Sequence, residues 1–452
     1  MKSITRKSFL SKSGKGLAGT ALGGLAWSSL GRDRVLGANE RIGVALIGCG
    51  GRGKLVIRHF IDQGAAIPYV CDLHEERLEE AAGLVAELQG RKPKKTKDMR
   101  NTFDSKDVDA VLICTPDHWH GPMSILACQT GKDVYVEKPH AHNIWESRKM
   151  VEAARKHNRI LQVGTQNRSA PYNHAAREYV KSDELGEVHL VKVYNLKNSK
   201  TLQLGKTDPP PRGFNWDKWL GPAPKRPYHY NIFRSGWHHF WDFSGGDLAD
   251  DGIHQLDLAM MLLGNPDLPA AVCCSGGRMH HRDDDSEVPD VQIATFNFDG
   301  LVMTLEATTY PRYMRKTTGT IRRKDEFPYW TQNATRVELY GSELMMTIGR
   351  HGGGWQVVTS GGKVVEQMYG RPADAPHVQD FLNCVKSRKS PNADIEIAHP
   401  SMTMIHMANI AHRVGNVKLR IEPGAERFID SNEANQLLKR TYRKGYDLPE
   451  RV

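Results

Sequence analysis

The chain has 452 residues, 39% hydrophobic and 25% charged, which fits a soluble globular enzyme of about two domains. Its formal net charge is +10, but six of those charges fall in residues 1–38, so the rest is only mildly basic and makes no case for a nucleic-acid partner. The seven cysteines (Cys49, Cys71, Cys114, Cys128, Cys273, Cys274 and Cys384) include no CxxC pair, which excludes a zinc site or a disulfide framework and leaves buried free thiols.

Residues 3–12 read Ser-Ile-Thr-Arg-Lys-Ser-Phe-Leu-Ser-Lys. A glycine-rich, weakly apolar stretch follows from Gly16 to Leu30, and small residues stand at Gly37-Ala38. A basic start, a modest apolar region and a small-residue cleavage site predict an export signal over 1–38. Its core resembles a twin-arginine signal with Arg6-Lys7 in place of the arginine pair. The expectation is a periplasmic protein that folds and loads cofactor before export, with no stable membrane span in its mature form. The alternative is an uncleaved signal that anchors the chain.

An apolar run, Val44 to Ile47, enters a G-x-G-x-x-G turn at Gly48, Gly50 and Gly53, with Gly51 and Arg52 inside it. Helical periodicity follows through Leu55, Val56, Phe60 and Ile61. A second apolar run, Ala65 to Cys71, ends at Asp72. Strand, glycine turn, helix, strand and terminal acid form a dinucleotide-binding fingerprint in its required context. Gly48 permits the tight turn, Gly50 admits the pyrophosphate, Gly53 lets helix and sheet pack closely, and the helix N-terminus faces the phosphate. A carboxylate at Asp72 suits the ribose hydroxyls of NAD and repels the 2′-phosphate of NADP.

The alternation continues through a helix at Glu75 to Leu88 and strands at Val108 to Cys114, Asp133 to Val136 and Ile160 to Val163. The intervening helices are about Gly121 to Gln129 and Ile144 to Lys156. The basic run Arg91 to Lys97 reads as a solvated loop. Such alternation predicts a doubly wound parallel sheet, a Rossmann domain over 39–165. Ligands in such sheets lie beyond the carboxyl ends of the strands, so Thr115, Pro116, His120, Glu137, Lys138 and Gln166 join the glycine turn as cofactor-side candidates. His120 lies either on the nicotinamide side or in a plain loop.

Past residue 166 strands are predicted at Val188 to Tyr194, Val291 to Phe298, Leu301 to Thr308, Thr335 to Tyr340 and Leu344 to Ile348, with a hairpin turn at Asp299-Gly300. One helix, Asp247 to Leu263, stops at Gly264-Asn265-Pro266, and Val378 to Lys386 and Thr403 to Val414 read as helices that pack back toward the first domain. This is an α+β domain with an open, mostly antiparallel sheet over 166–421, followed by a polar tail, 422–452.

Three pieces carry chemistry: Thr115-Pro-Asp-His-Trp-His120, Glu137-Lys-Pro139, and Asp250-Asp-Gly-Ile-His254 with Asp257 beyond. On an α-helix Asp250 and His254 share a face. Histidine is the usual base for a hydroxyl proton near neutral pH, an aspartate can orient it, and a lysine can stabilise a developing alkoxide. Asp251 and Asp257 either replace Asp250 in that role or support the helix. Residues 214–241 hold nine aromatics with His238 and His239 interleaved; Trp237, His238 and His239 are candidates for binding a carbohydrate, while most of the rings suit a local core. Met279 to Asp285 reads as a solvated loop, and the chemistry requires no metal.

With these motifs in order, residues 40–415 resemble the Gfo/Idh/MocA family, which includes glucose–fructose oxidoreductase and inositol dehydrogenases. The resemblance implies Lys138 and His254 in catalysis with Asp250 beside them, and a sheet that often mediates homo-oligomerisation. It implies NAD-dependent oxidation or reduction of a secondary hydroxyl on a sugar, glycoside or cyclitol. Because free NAD is scarce outside the cytoplasm, export favours tightly held cofactor. Two alternatives remain. One is a redox-cycle glycosidase, which oxidises a ring hydroxyl transiently, eliminates the aglycone and restores the hydride. The other is a non-enzymatic sugar sensor.

Overall fold

Six short strands build the first sheet: β1 (Val44–Ile47), β2 (Tyr69–Cys71), β3 (Lys94–Thr96), β4 (Ala110–Ile113), β5 (Asp133–Val136) and β6 (Leu161–Val163). In the computed structural model, which describes residues 41–197, 201–309 and 312–452, these strands are all parallel and lie in the order β3-β2-β1-β4-β5-β6. The export signal expected at 1–38 falls outside the described residues. Every side chain of β1, β4, β5 and β6 is buried, as a parallel sheet covered by helices on both faces requires. Between the strands run α1 (Gly51–Asp62), α2 (Glu75–Gln89), α3 (Asp117–Gln129) and α4 (Ile144–Lys156).

Two local readings change here. The basic run is not wholly loop, because its Lys94–Thr96 adds as the edge strand β3. An edge position leaves Lys94 and Lys95 exposed, where they pair with Asp107 and Glu79. The helix after β4 starts at Asp117 rather than near Gly121, so His118, Trp119 and His120 lie inside it and are buried. Pro116 stands at its N-cap with extended backbone, which starts the helix directly from the strand end.

The helix α5 (Pro171–Lys181) leads into β7 (Val188–Leu196), the central strand of a second, ten-stranded sheet. Its other strands are β8 (Ala271–Gly277), β9 (Val291–Asn297), β10 (Val302–Thr308), β11 (Thr335–Gly341), β12 (Met345–Gly349), β13 (Trp355–Val358), β14 (Val364–Met368), β15 (Lys418–Glu422) and β16 (Arg427–Phe428). All neighbouring pairs are antiparallel except β7 with β10. The fold is therefore a Rossmann domain followed by a mostly antiparallel open-sheet domain. Alternate residues of β9, β10 and β11 point inward, and their apolar set packs on α6 (Ile253–Leu262) and α8 (Ile395–Arg413).

The chain then returns to the first domain. In α7 (Asp374–Ser387), Phe381 lies edge-on to Phe60 of α1 and Tyr135 of β5, with centroids 5.9 and 5.8 Å apart. Arg155 of α4 pairs with Asp394 at the start of α8. Residues 422–452 are packed rather than trailing. Phe428 and Ala434 are buried, Arg440 pairs with the buried Glu146, and Arg443 pairs with Asp217.

Candidate active site

The glycine turn leaves room for a ligand on one side only. Gly48 has φ +93° and lies so close to the β4 end that a Cβ there would stand 2.5 Å from the Cys114 carbonyl. A Cβ on Gly53 would meet the Gly48 oxygen at 2.1 Å, whereas a Cβ on Gly50 or Gly51 would meet nothing within 4 Å. That open side faces a crevice of about 750 Å³ lined by Gly48, Gly50, Gly51, Arg52, Asp72, Thr115 and Pro116. This volume lies within the range of ligand pockets. Both Asp72 oxygens accept backbone N–H bonds at 2.8 Å, one from Cys49 and one from His74, so the carboxylate ties the turn to the end of β2. Enclosure raises the Asp72 carboxyl pKa against the opposing pull of those two amides. These features fit a dinucleotide.

The aromatic segment closes the crevice from the second domain. Phe214, Trp216, Trp219, Tyr228, Phe233, Phe240 and Phe243 make a small core of their own, with Trp216 and Trp219 stacked at 4.4 Å. From that base Tyr230, Phe233, Trp237 and His238 reach the crevice wall. Phe233 stacks on His74 and lies under the Arg77 guanidinium, 4.2 Å away. His238 also borders a smaller cavity of about 120 Å³, which His239, Lys197, Asp247 and Asp250 line. His239 is hydrogen-bonded to Ser286 at 3.2 Å. In the neighbouring loop the backbone N–H groups of Met279, His280 and His281 all donate to Asp290, and among the described residues no metal-binding cluster occurs.

Some cofactor-side candidates brace one another. Arg52 donates to Glu137 at 2.9 Å and to Asp374 at 3.0 Å, and Gln166 donates to Glu137 at 3.2 Å. His120 is buried inside the helix that follows β4, not in a loop. Its two ring nitrogens lie 2.7 Å from the carbonyls of Pro139 and Thr115, so it ties together the ends of β4 and β5. Burial pushes its pKa down to about 4.

The three catalytic candidates meet at the domain junction. Lys138 Nζ donates to the Asp250 carboxylate at 2.8 Å and to the Asp250 carbonyl, and Asp250 lies 3.8 Å from His238 and from Lys197. Burial resists ionisation of Asp250, but Lys138, His238 and Lys197 outweigh it and hold the carboxyl below the ordinary range. The expected Asp250–His254 pairing is absent. Leu248–Gly252 is a π-helical turn, which takes more residues than an α-turn and shifts the carboxylates against the helix that follows. Asp250 is thereby given to Lys138, while Asp251 is the acid that acts on His254. No side chain among the described residues hydrogen-bonds the His254 ring. Burial, with Arg350 and Lys138 nearby, keeps its pKa well below the ordinary histidine value. Asp257 supports the helix, as its carboxylate is fully buried against Arg168 and Ser401.

Sequence reasoning missed four cations around this centre. Asp251 is contacted by Arg350 at 2.8 Å, by Lys197 at 3.2 Å and by Lys316, with Arg322 close to Arg350. Lys197, Lys316 and Arg350 come from strand ends and loops of the second domain and Arg322 from the short helix Gly319–Arg322, so no local spacing marks them.

A nucleotide crevice on a Rossmann sheet, with a lysine–aspartate pair and a histidine supplied across the domain junction, defines a two-domain oxidoreductase. Residues 42–165 match the model of an oxidoreductase family with an NAD-binding Rossmann fold, and residues 191–309 and 355–448 match the same family's C-terminal alpha/beta domain. The chain belongs to the Gfo/Idh/MocA oxidoreductase family. An inositol 2-dehydrogenase of Rubrobacter xylanophilus is 36% identical over 153 residues, covering 33% of this chain and 42% of that protein. A glycosyl hydrolase family 109 protein of Saccharopolyspora erythraea is 33% identical over 124 residues, covering 26% of this chain and 27% of that protein. The chain thus spans less than half the length of these relatives. A solved dehydrogenase from Bordetella pertussis, in complex with NADH and UDP-GlcNAcA, shares the fold at TM-score 0.62 and 16% identity, covering 84% of this chain and 99% of that one.

Proposed function

We infer that the protein is an NAD-dependent oxidoreductase acting on a secondary hydroxyl of a sugar or cyclitol. The observation that carries this reading is the convergence of Lys138, Asp250 and a neutral, unpaired His254 beside a crevice built for a dinucleotide. When bound, NAD supplies the hydride acceptor. The His254 imidazole takes the hydroxyl proton, and the Lys138 ammonium donates to the same oxygen and stabilises its developing charge. Asp250 holds Lys138 in place. His238 borders both the crevice and the smaller cavity, Trp237 stands beside it on the crevice wall, and the two serve as substrate contacts. Asp72 sets a preference for NAD, and the aromatic segment over the crevice favours slow release of cofactor. Residues 1–38 direct export by the twin-arginine route, and the mature protein is a periplasmic homo-oligomer.

The family 109 relative supports a second reading with the same site, glycoside cleavage without net oxidation. Mass and absorbance of whatever co-purifies, followed by a panel of sugars, cyclitols and glycosides, separate the two. Reduced cofactor accumulating with a sugar or cyclitol supports the dehydrogenase, whereas aglycone release with no net reduction supports the glycosidase. His254→Asn is expected to lower turnover roughly 10²–10⁴-fold while NAD affinity stays within about threefold, the residue being outside the nucleotide domain. Turnover close to wild type in that variant would remove His254 from the mechanism.

A further inference from the structure

The cations at the domain junction are unevenly paired with acids. Lys138 is matched by Asp250, Lys197 by Asp247, and Arg52 by Glu137 and Asp374. Asp117 is buried, accepts a hydrogen bond from Ser244 at 2.7 Å, and has its pKa raised by that burial. Arg168 and Asp257 satisfy each other. Lys316, Arg322 and Arg350 remain, with one carboxylate, Asp251, among them. Arg350 has no other acid in ion-pair range, and Arg322 has none at all among the described residues, its Nε donating to the Thr317 carbonyl at 2.6 Å. The adjoining His351 is neutral, since its Nε2 accepts from Arg350.

An excess of cations in a partly closed site is unfavourable unless an anion completes it. Burial, with the mutual repulsion of these groups, lowers the pKa of Lys316, Arg322 and Arg350 alike. The cluster is reachable: a third of the Lys316 side chain is exposed, and Arg322 is half-buried. It also adjoins the reacting centre, because Arg350 pairs at 2.8 Å with Asp251, which stands three residues before His254 and directly after Asp250.

The cluster comes from a different stretch of the chain than the rest of the site. Lys138, Asp250 and His254 lie within the stretches that match the family models. Lys316, Arg322, Arg350 and His351 all lie in residues 310–354, between the two matched parts of the C-terminal domain.

We propose that Lys316, Arg322 and Arg350 bind an oxyanion substituent on the substrate, so that the protein acts on a carboxylated or phosphorylated carbohydrate rather than a neutral one. The proposal rests on the carbohydrate reading above. Arginine's planar fork suits either oxyanion. Arg322 is free to turn toward it without abandoning an acid.

The test is equilibrium binding to NAD-loaded protein, with turnover followed separately. Glucose, galactose and mannose are compared with their uronic acids and their 6-phosphates. At least one anionic sugar is expected to bind tenfold or more tightly than its neutral parent, with an affinity that falls as salt rises. Whether the uronate or the phosphate wins identifies the oxyanion. Arg322→Gln should weaken that ligand roughly 10- to 100-fold, the worth of a hydrogen bond to a charged group, and leave the neutral parent unchanged, while Arg322→Lys recovers part of the loss. Lys316→Gln gives a second, independent reading. Equal binding of neutral and anionic sugars, binding of none, or equal loss for both in Arg322→Gln overturns the proposal. Reduced cofactor formed from neutral sugars without anion preference would overturn it and leave the dehydrogenase reading standing. Selective anion binding without turnover would support it and count against that reading.

Discussion

Lys138 and Asp250 should behave as one unit, in stability as well as in rate. Their charged atoms lie 2.8 Å apart, and 18% and 25% of the side chains are exposed. At that distance the Coulomb term runs from roughly 1.5 kcal/mol at the dielectric constant of water to about 6 kcal/mol at an effective constant near 20. Desolvation of both groups offsets much of it, which leaves an expected coupling of about 2 kcal/mol. Lys138→Met strands the Asp250 carboxylate, whose next cation, Lys197, is 3.8 Å away. Asp250→Asn introduced into that background should recover most of the lost stability. Urea unfolding of NAD-free wild type, both single variants and the double variant measures the cycle. Additivity within about 0.5 kcal/mol would show that the pair is not coupled. In turnover, Lys138→Met should lose roughly 10²–10⁴-fold, and the double variant should be little worse than the poorer single one, since groups that act together are not additive.

Asp72→Asn keeps an acceptor for one of the two turn amides and removes the charge. Titration of stripped protein should show the preference for NAD over NADP narrowing, and tighter binding of NADP than NAD by wild type would refute the role of Asp72. Burial holds His118 at about 3 and His120, His377 and His406 at about 4. These values lie below the unfolded value of roughly 6.5, so between them the unfolded chain binds more protons and stability rises with pH. Lowering the pH from about 7.5 to 5.5 should therefore cost on the order of 1 kcal/mol per histidine, and a urea midpoint unchanged across that interval would contradict it. Replacing Arg6-Lys7 with two glutamines should trap folded precursor in the cytoplasm, which fractionation and N-terminal sequencing would detect. Unchanged export would argue against the twin-arginine route.

The Rossmann half was readable because each of its devices is local. The glycine turn, the acid closing β2 and the strand–helix alternation all repeat within a few dozen residues. The second sheet was only half readable. Strands such as Val291–Asn297 alternate plainly, but Ala271–Gly277 reads Ala-Val-Cys-Cys-Ser-Gly-Gly and draws its strand character from neighbours on both sides. At the site, Lys138 and His254 stood out by motif, while the partner of Asp250 did not. An i, i+4 argument presumes an α-helix, and one π-turn redirected that carboxylate. The cations around Asp251 were invisible for a different reason, since up to 153 residues separate them from one another in the chain and only tertiary contact assembles them.

The return of α7 to the nucleotide domain has a consequence for synthesis. The ring of Phe381 completes a core begun by Phe60 and Tyr135, with Val378 and Leu382 beside it. A ribosome that has delivered the whole six-stranded sheet has therefore not yet delivered the aromatic side chain that closes one of its faces. That face waits, apolar and uncovered, through more than two hundred further residues of translation. A fragment ending after β6 would expose Phe60 and Tyr135 to water and to other nascent chains. The core of the nucleotide domain is thus completed only when the nearly finished chain returns to it.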